Sequence, residues 1–398
     1  MKPSLLLFSL LFACSSEAQP TLRHHEVRAD RLPQPGHTAS ARNPPRVIDR
    51  PPDAKLHLPP RFSIAVWEEG FKEPRNMVLA PNGDVFVADS AANSVLVLRD
   101  ENGDGNVEQR FTFATGLSRP FGLAFGKDHL YVGNTDAVVR FAYRSGQTEA
   151  SGDPERIAAV PPGGHWTRNL IFNRDKSKLY VAVGSRSNVS DESDQPIRAA
   201  ITEMNPDGSG QRIYASGLRN PVGLAWSPHT GAVWTSVNER DGLGDDLVPD
   251  YITEVRPGGF YGWPWSYIGK NVDPRRKGER PEMVEKALVP TVLIQAHSAA
   301  LGLVFYDGKM FPSRYRGGAF VALHGSWNRT LRTGYSVIHV PFRNGKPVGG
   351  YEDFVVGWAP DPAEKTVWGR PVGLLVLKDG SLLVSDDGSG VIWRVTHE

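Results

Sequence analysis

The chain has 398 residues, 45 of them basic and 44 acidic, for a formal net charge of +1. So even a balance gives no field to hold nucleic acid or an anionic membrane surface. With 41 glycines, 32 prolines and 10 tryptophans, the composition excludes a helical bundle and favours short, aromatic-packed strands joined by turns.

The chain opens on "MKPSLLLFSLLFAC", with Lys2, an apolar run from Leu5 to Ala13, and then Cys14, the only cysteine. The run is too short to span a bilayer and reads as a signal peptide over 1–13. Its "Leu-Phe-Ala-Cys" ending resembles a bacterial lipobox, which implies acylation of Cys14; the alternative is an ordinary signal cut a few residues later. Either reading places the mature protein in the periplasm or at the cell surface and leaves it without a disulfide or a catalytic thiol. Residues 14–60 are proline-rich and polar without apolar periodicity, and read as an extended tether; His24 and His25 are expected to be merely solvated there.

From residue 61 the chain repeats itself. A leucine in a short apolar strand serves as ruler at Leu79, Leu123, Leu170, Leu224, Leu303 and Leu374, and a turn and a second apolar strand come after each one. Six units of this length predict an all-β fold over 61–398, a six-bladed β-propeller with insertions in its fourth and fifth intervals. The last repeat runs out one strand short, and "RFSIAVWEE" at 61–69 has the alternation to close it from the N-terminal side.

Ahead of each ruler leucine stands a cation or an imidazole. Arg75, Arg119 and Arg370 precede it by four residues, His165 and Arg219 by five, and His297 by six. Loops leaving the second strands share that face and bring Asp89, Asn134, Ser185, Arg186, Glu239, Arg240, Asp241, His324, Asn328, Arg329, Asp386 and Asp387. The pattern predicts a funnel over the central channel, with converging cations that call for a polyanionic ligand, most naturally a polycarboxylate. "DENGDGN" at 100–106 starts like a calcium loop, but its twelfth position is Phe111, so it reads as a solvated turn. The aromatic residues of "FYGWPWSY", Trp263 and Trp265 among them, suit either a sugar-stacking wall or the packing of an insertion.

"SGLRNPVGLAW", "GGFYGWP", "NERDGLGDDLVPDY" and "HGSWNR" together resemble the sorbosone dehydrogenase branch of the soluble sugar dehydrogenases that use pyrroloquinoline quinone (PQQ), over residues 62–396. The resemblance implies a six-bladed propeller that holds PQQ and Ca2+ over its channel, oxidises an aldose or sugar aldehyde, and passes electrons to a separate cytochrome or quinone. It implies His165 as general base, with Arg219 and Asn220 at the quinone oxygens. Arg370 and Arg329 would bind the cofactor; Arg240 and Asp241 fall where backbone carbonyls hold the calcium, and the carboxylates of Glu239, Asp241, Asp245 and Asp246 are there to join them. Arg75, Arg119, His297, His324 and Asn328 complete the expected cofactor shell. Where the glucose-oxidising relatives carry an acid that orients the histidine, this chain has "GSRS", so Ser185 or Arg186 takes that place and His324 is the rival base. Two other functions fit a propeller: a calcium-dependent lactonase, which has no reason for converging cations, and a non-catalytic module that binds a glycan or a protein.

Overall fold

The computed structural model describes residues 22–398; the expected signal peptide and Cys14 lie outside the described residues. Six antiparallel sheets, five of four strands and one of five, succeed one another along the chain. Their innermost strands are Pro74–Leu79, Gly122–Phe125, Arg168–Phe172, Asn220–Trp226, Ala300–Phe305 and Pro371–Val376. Each inner strand packs on the next and the sixth packs on the first, so the six blades close a ring.

Closure has two physical sources. Six apolar clusters fill the six gaps between consecutive blades; one joins Phe86 and Val97 of blade one to Leu123 and Val132 of blade two, and another joins Met77 and Leu98 of blade one to Leu383 and Ile392 of blade six. Because both faces of a blade are covered, inner and second strands read as continuous apolar runs, and alternation survives only at the rim, as in Gln109–Ala114. The second source is the last sheet. Phe62–Glu69 pairs antiparallel with Val391–His397, so the expected N-terminal strand does close the sixth blade.

The long fourth interval begins inside the sheet. "YITE", expected within the insertion, belongs to Asp250–Glu254, the third strand of blade four. The inserted part begins only after Glu254. It contains a small hairpin, Ser266–Tyr267 with Asn271–Val272, and the helix Pro281–Lys286, before the fourth strand Val292–Ile294.

Residues 22–60 are not an extended tether. His24–His25 adds a fifth strand to blade five beside Tyr351–Val356, Arg46–Val47 runs parallel to Thr366–Val367, and His57 bridges to Val356. His25 is not merely solvated: it stacks on Tyr351 at 4.8 Å and meets Asp353 at 3.0 Å. Hydropathy gave no sign of this, because backbone and polar side chains hold the segment. Among the described residues no helix is long and apolar enough to cross a membrane.

Candidate functional site

The channel between the inner strands is a cavity of about 280 Å³. At one end Phe121, Val222, Leu301 and Val372 pack with Trp166 into an apolar floor, and the charged residues stand around it. The floor arises from the repeat, since each of these four residues lies one or two positions before a ruler leucine.

Strand pairing corrects the ruler in blade one. Met77, not Leu79, occupies the place of Leu374: Pro74 and Met77 pair with Asp89 and Val87 as Pro371 and Leu374 pair with Asp386 and Val384. The residue four places before the true ruler is therefore Glu73, an acid, and Arg75 comes from the strand itself.

Nor are the cations unpaired. Arg75 meets Glu73 at 2.5 Å and Asp387 at 2.7 Å, while Arg119 meets Glu73 at 3.2 Å. Both guanidiniums also lie over the Trp166 ring, at 5.0 and 3.7 Å. Arg219 meets Asp241 at 3.2 Å and donates to the Glu239 carbonyl at 2.7 Å. Of the four ring arginines only Arg370 makes no salt bridge among the described residues; it donates to the His324 and Gly325 carbonyls. Burial lowers its pKa, partly offset by the charge of Asp387. The inference from six unneutralised cations to a polyanion thus fails in that form. What remains is four arginines interleaved with three carboxylates, Glu73, Asp241 and Asp387. Asp89 and Asp386, expected in the funnel, instead cap backbone: Asp89 accepts from the amides of Lys72 and Glu73, and Asp386 from that of Arg370.

The two candidate bases differ in support. His165 Nδ1 lies 2.8 Å from the Ser185 carbonyl and 3.1 Å from its hydroxyl. A carbonyl only accepts, so Nδ1 carries the proton and Nε2 keeps a free lone pair. Burial, then the charge of Arg219, pushes the His165 pKa down to about 3, so the ring is neutral. Ser185 therefore takes the orienting place left without an acid, whereas Arg186 points to Asp194 at 3.5 Å. Behind Ser185 stands a carboxylate the sequence reading missed: buried Glu192 accepts the amides of Arg186 at 2.8 Å and Ser187 at 2.7 Å. His324 Nε2 sits 2.9 Å from Asp387, and burial, then Arg370, lowers its pKa to about 4. Although burial works to raise it, the Asp387 carboxyl is held far below the usual range by Arg75 and His324.

His297 offers no free nitrogen: Nε2 bonds the Gly244 carbonyl at 2.9 Å, and Nδ1 lies 3.0 Å from the Asn328 amide nitrogen. Asn328 donates onward to Asp241 at 2.6 Å. Burial works to raise the Asp241 pKa, but the His297 and Arg219 contacts outweigh it and hold the carboxyl low. Asn188, also missed, ties the floor together by accepting from Arg219 and donating to the Asp241 carbonyl. Arg329 binds the Asp245 carbonyl and pairs with Asp246 at 2.8 Å.

The expected metal residues separate. Glu239 and Arg240 are fully buried and pair with each other at 3.0 Å, and Arg240 turns away to Asp273 and the Pro264 and Ser266 carbonyls. Neither side chain reaches the mouth, because a carboxylate beside a guanidinium is cheaper to bury than either alone. Only Asp241 presents its oxygens there. The one grouping of three potential metal-ligand side chains among the described residues is Asp100 and Asp104 of the "DENGDGN" turn with Glu108 just after it. Trp265 packs against Phe260, Val284 and Ala287, and Trp263 is buried with its Nε1 on the Asn188 carbonyl, so both serve the insertion.

A family model described as TrAA12-like matches residues 56–259 and 276–398. The chain belongs to the TrAA12-like family. The match omits the stretch that holds Trp263 and Trp265. An uncharacterized protein of Borreliella burgdorferi is 27% identical over 360 residues, 86% of this chain and 91% of that protein. The pyrroloquinoline quinone-dependent pyranose dehydrogenase of Coprinopsis cinerea is 22% identical over 86% of this TrAA12-like chain, which spans 55% of that enzyme. In three dimensions the AA12 carbohydrate-active enzyme of Trichoderma reesei superposes with a TM-score of 0.75 at 21% identity, covering 89% of this chain and 99% of its own. The holo pyranose dehydrogenase PQQ domain of C. cinerea gives a TM-score of 0.75 at 19% identity, covering 89% and 99%. At these identities the superpositions establish the propeller fold.

Proposed function

We propose that this TrAA12-like protein is a PQQ- and calcium-dependent dehydrogenase that oxidises an aldose or sugar aldehyde and hands electrons to a separate acceptor. One observation carries the reading: an apolar floor at one end of a six-strand channel is ringed by arginines from several blades. That combination fits a flat, aromatic polycarboxylate. The apolar floor would receive its ring system, and Arg370 and Arg119, the guanidiniums least committed to protein carboxylates, would hold its carboxylates. The residues present fit PQQ in a second respect. Asn220 stands directly beside His165, and since an amide oxygen only accepts, it is Nδ2 that would donate to an oxygen of PQQ, while Oδ1 stays buried against Gly184, where even a Cβ would collide with it.

When bound, PQQ supplies a quinone that takes up a hydride equivalent. His165 Nε2 receives the proton of the sugar hydroxyl, Ser185 fixes the ring through Nδ1, and Arg219 faces the charge that develops. A bound polyanion favours protonation of His165 by counteracting the charge of Arg219. For calcium, Asp241 offers side-chain oxygens at the mouth, whereas its carbonyl already accepts from Asn188 at 2.9 Å and Arg275 at 2.7 Å.

Reconstitution with PQQ and Ca2+, then turnover of a sugar panel against an artificial dye, tests this reading. Turnover that requires both additions supports it; a chain that neither binds PQQ nor reduces the dye overturns it. His165→Ala should retain PQQ but lose turnover on the order of 100-fold or more; unchanged turnover moves the base to His324. We also place the protein outside the cytoplasm with a lipid on Cys14, supported by the N-terminal sequence alone. Loss of labelled fatty-acid incorporation in Cys14→Ser checks this.

A further inference from the structure

Residues 22–55 precede the family match, and the proposed reaction uses none of them. Their path nevertheless joins the two loops on which the candidate site depends. Gly36 donates its amide to the Leu243 carbonyl at 2.9 Å. Thr38 Oγ1 accepts the Asp245 amide at 2.7 Å, and Ser40 Oγ the Gly244 amide at 3.2 Å. Asn43 then crosses to the other loop: its amide donates to the Trp327 carbonyl at 2.8 Å, and Nδ2 donates to the carbonyls of Arg329 and Thr330 at 3.2 and 3.1 Å.

Arg332 locks the crossing. It is 5% exposed and makes no salt bridge among the described residues. It is satisfied by oxygens alone: the Glu364 and Ser326 carbonyls on the propeller, and the Asn43 carbonyl, Asn43 Oδ1 and Pro44 carbonyl on the segment. If the segment leaves, a buried guanidinium loses three of its five acceptors, which is costly. Packing does not explain the grip. Between residues 51–57 and blade five a cleft of about 1200 Å³ remains open.

We propose that residues 36–46 form a strap that positions the site, with Thr38 and Asn43 as its positioning residues. From outside, the strap holds the 239–246 and 324–333 loops in the arrangement that receives the cofactor. On the inner side of the same backbone, the Gly244 carbonyl anchors His297, the Asp245 carbonyl anchors Arg329, and Asn328 reaches Asp241. Thr38 approaches so closely that a Cβ at Gly244, where φ is +109°, would lie 2.7 Å from its carbonyl oxygen. The contacts stand on geometry; the identity of the ligand rests on the proposed function.

The test uses the full chain with Asn43→Ala and, separately, Thr38→Val, which keeps the shape and removes the hydroxyl. Two quantities are read: amide exchange over 239–246 and 324–333 in PQQ-free protein, and the Kd for PQQ in excess Ca2+. Both variants should speed exchange in these loops and weaken PQQ about tenfold, with the melting temperature of the propeller almost unchanged. Thr38→Ser, which retains the acceptor, should restore both. Loops that exchange at the wild-type rate in both variants, or loops that loosen with no change in Kd, overturn the proposal. If the unaltered chain binds no PQQ, the proposed function fails while the exchange measurement still decides whether the strap holds the loops.

Discussion

Arg75 and Arg370 both face the floor, but their surroundings give them opposite roles. Arg75 is buried against two carboxylates, so Arg75→Ala leaves buried Asp387 with no charged partner, only a neutral His324, and leaves Glu73 with Arg119 alone; it should cost about 3 kcal/mol of stability. Arg370 has carbonyl partners and no salt bridge, so Arg370→Ala should leave the melt nearly unmoved and weaken PQQ at least about tenfold. Thermal melts and PQQ titrations of the two variants check this, and the reverse order would refute the pairing of Arg75 with its two acids. His324 permits a prediction in pH. Its pKa falls from 6.5 to about 4 on folding, so between those values the unfolded chain binds a proton that the folded chain does not. Wild-type stability contributed by this ring is intact above pH 6.5 and declines as pH falls towards 4. Relative to His324→Gln, the wild type should therefore lose on the order of 2 kcal/mol between pH 7.5 and pH 5. Equal pH dependence in the two proteins would show that the ring titrates normally.

The inner strand is the element that makes the repeat visible. Its "GL" signature has a steric cause: a Cβ at Gly302 would overlap the Val372 carbonyl oxygen of the next blade, and one at Gly373 the Arg75 carbonyl oxygen. Neighbouring inner strands are thus in backbone contact, as a narrow channel demands. Gly302→Ala should force blades five and six apart and cost about 1–3 kcal/mol, read as a lowered melting temperature; an unchanged melt would mean the blades can shift freely. Blades one and three place Asn76 and Asn169 where the others have glycine, and the two side chains bond each other at 3.0 Å. That substitution is why the ruler slipped by two residues in blade one. Without the glycine, apolar spacing alone cannot tell Met77 from Leu79. The second strand was legible in every repeat, whereas two of the acids after it, Asp89 and Asp386, were misread, because a sequence does not say whether an aspartate faces a site or caps the backbone.

At the scale of the molecule, the ring is closed by a strand from the other end of the chain. Phe62 on that strand packs edge-on against Phe311 at 4.8 Å and Phe354 at 5.0 Å, deep in the gap between blades five and six. Phe62→Ala should cost about 3–5 kcal/mol. Since each blade is held only by its neighbours, the loss should lower one cooperative transition, seen by calorimetry, rather than release a single blade. A separate early transition would argue that the closing strand is an independent unit.

Blade number, strand closure and the face on which the candidate residues gather were determined by sequence alone, because strand periodicity and turns are local features repeated six times, and the close-packed glycine recurs in four of the blades. The tertiary structure alone decided which cations are neutralised, that Glu239 and Arg240 turn inward, that Ser185 rather than an acid steadies His165, and that residues 22–60 lie against the propeller. Each of these depends on groups far apart in the chain, and on hydrogen bonds between polar atoms that leave no periodic trace.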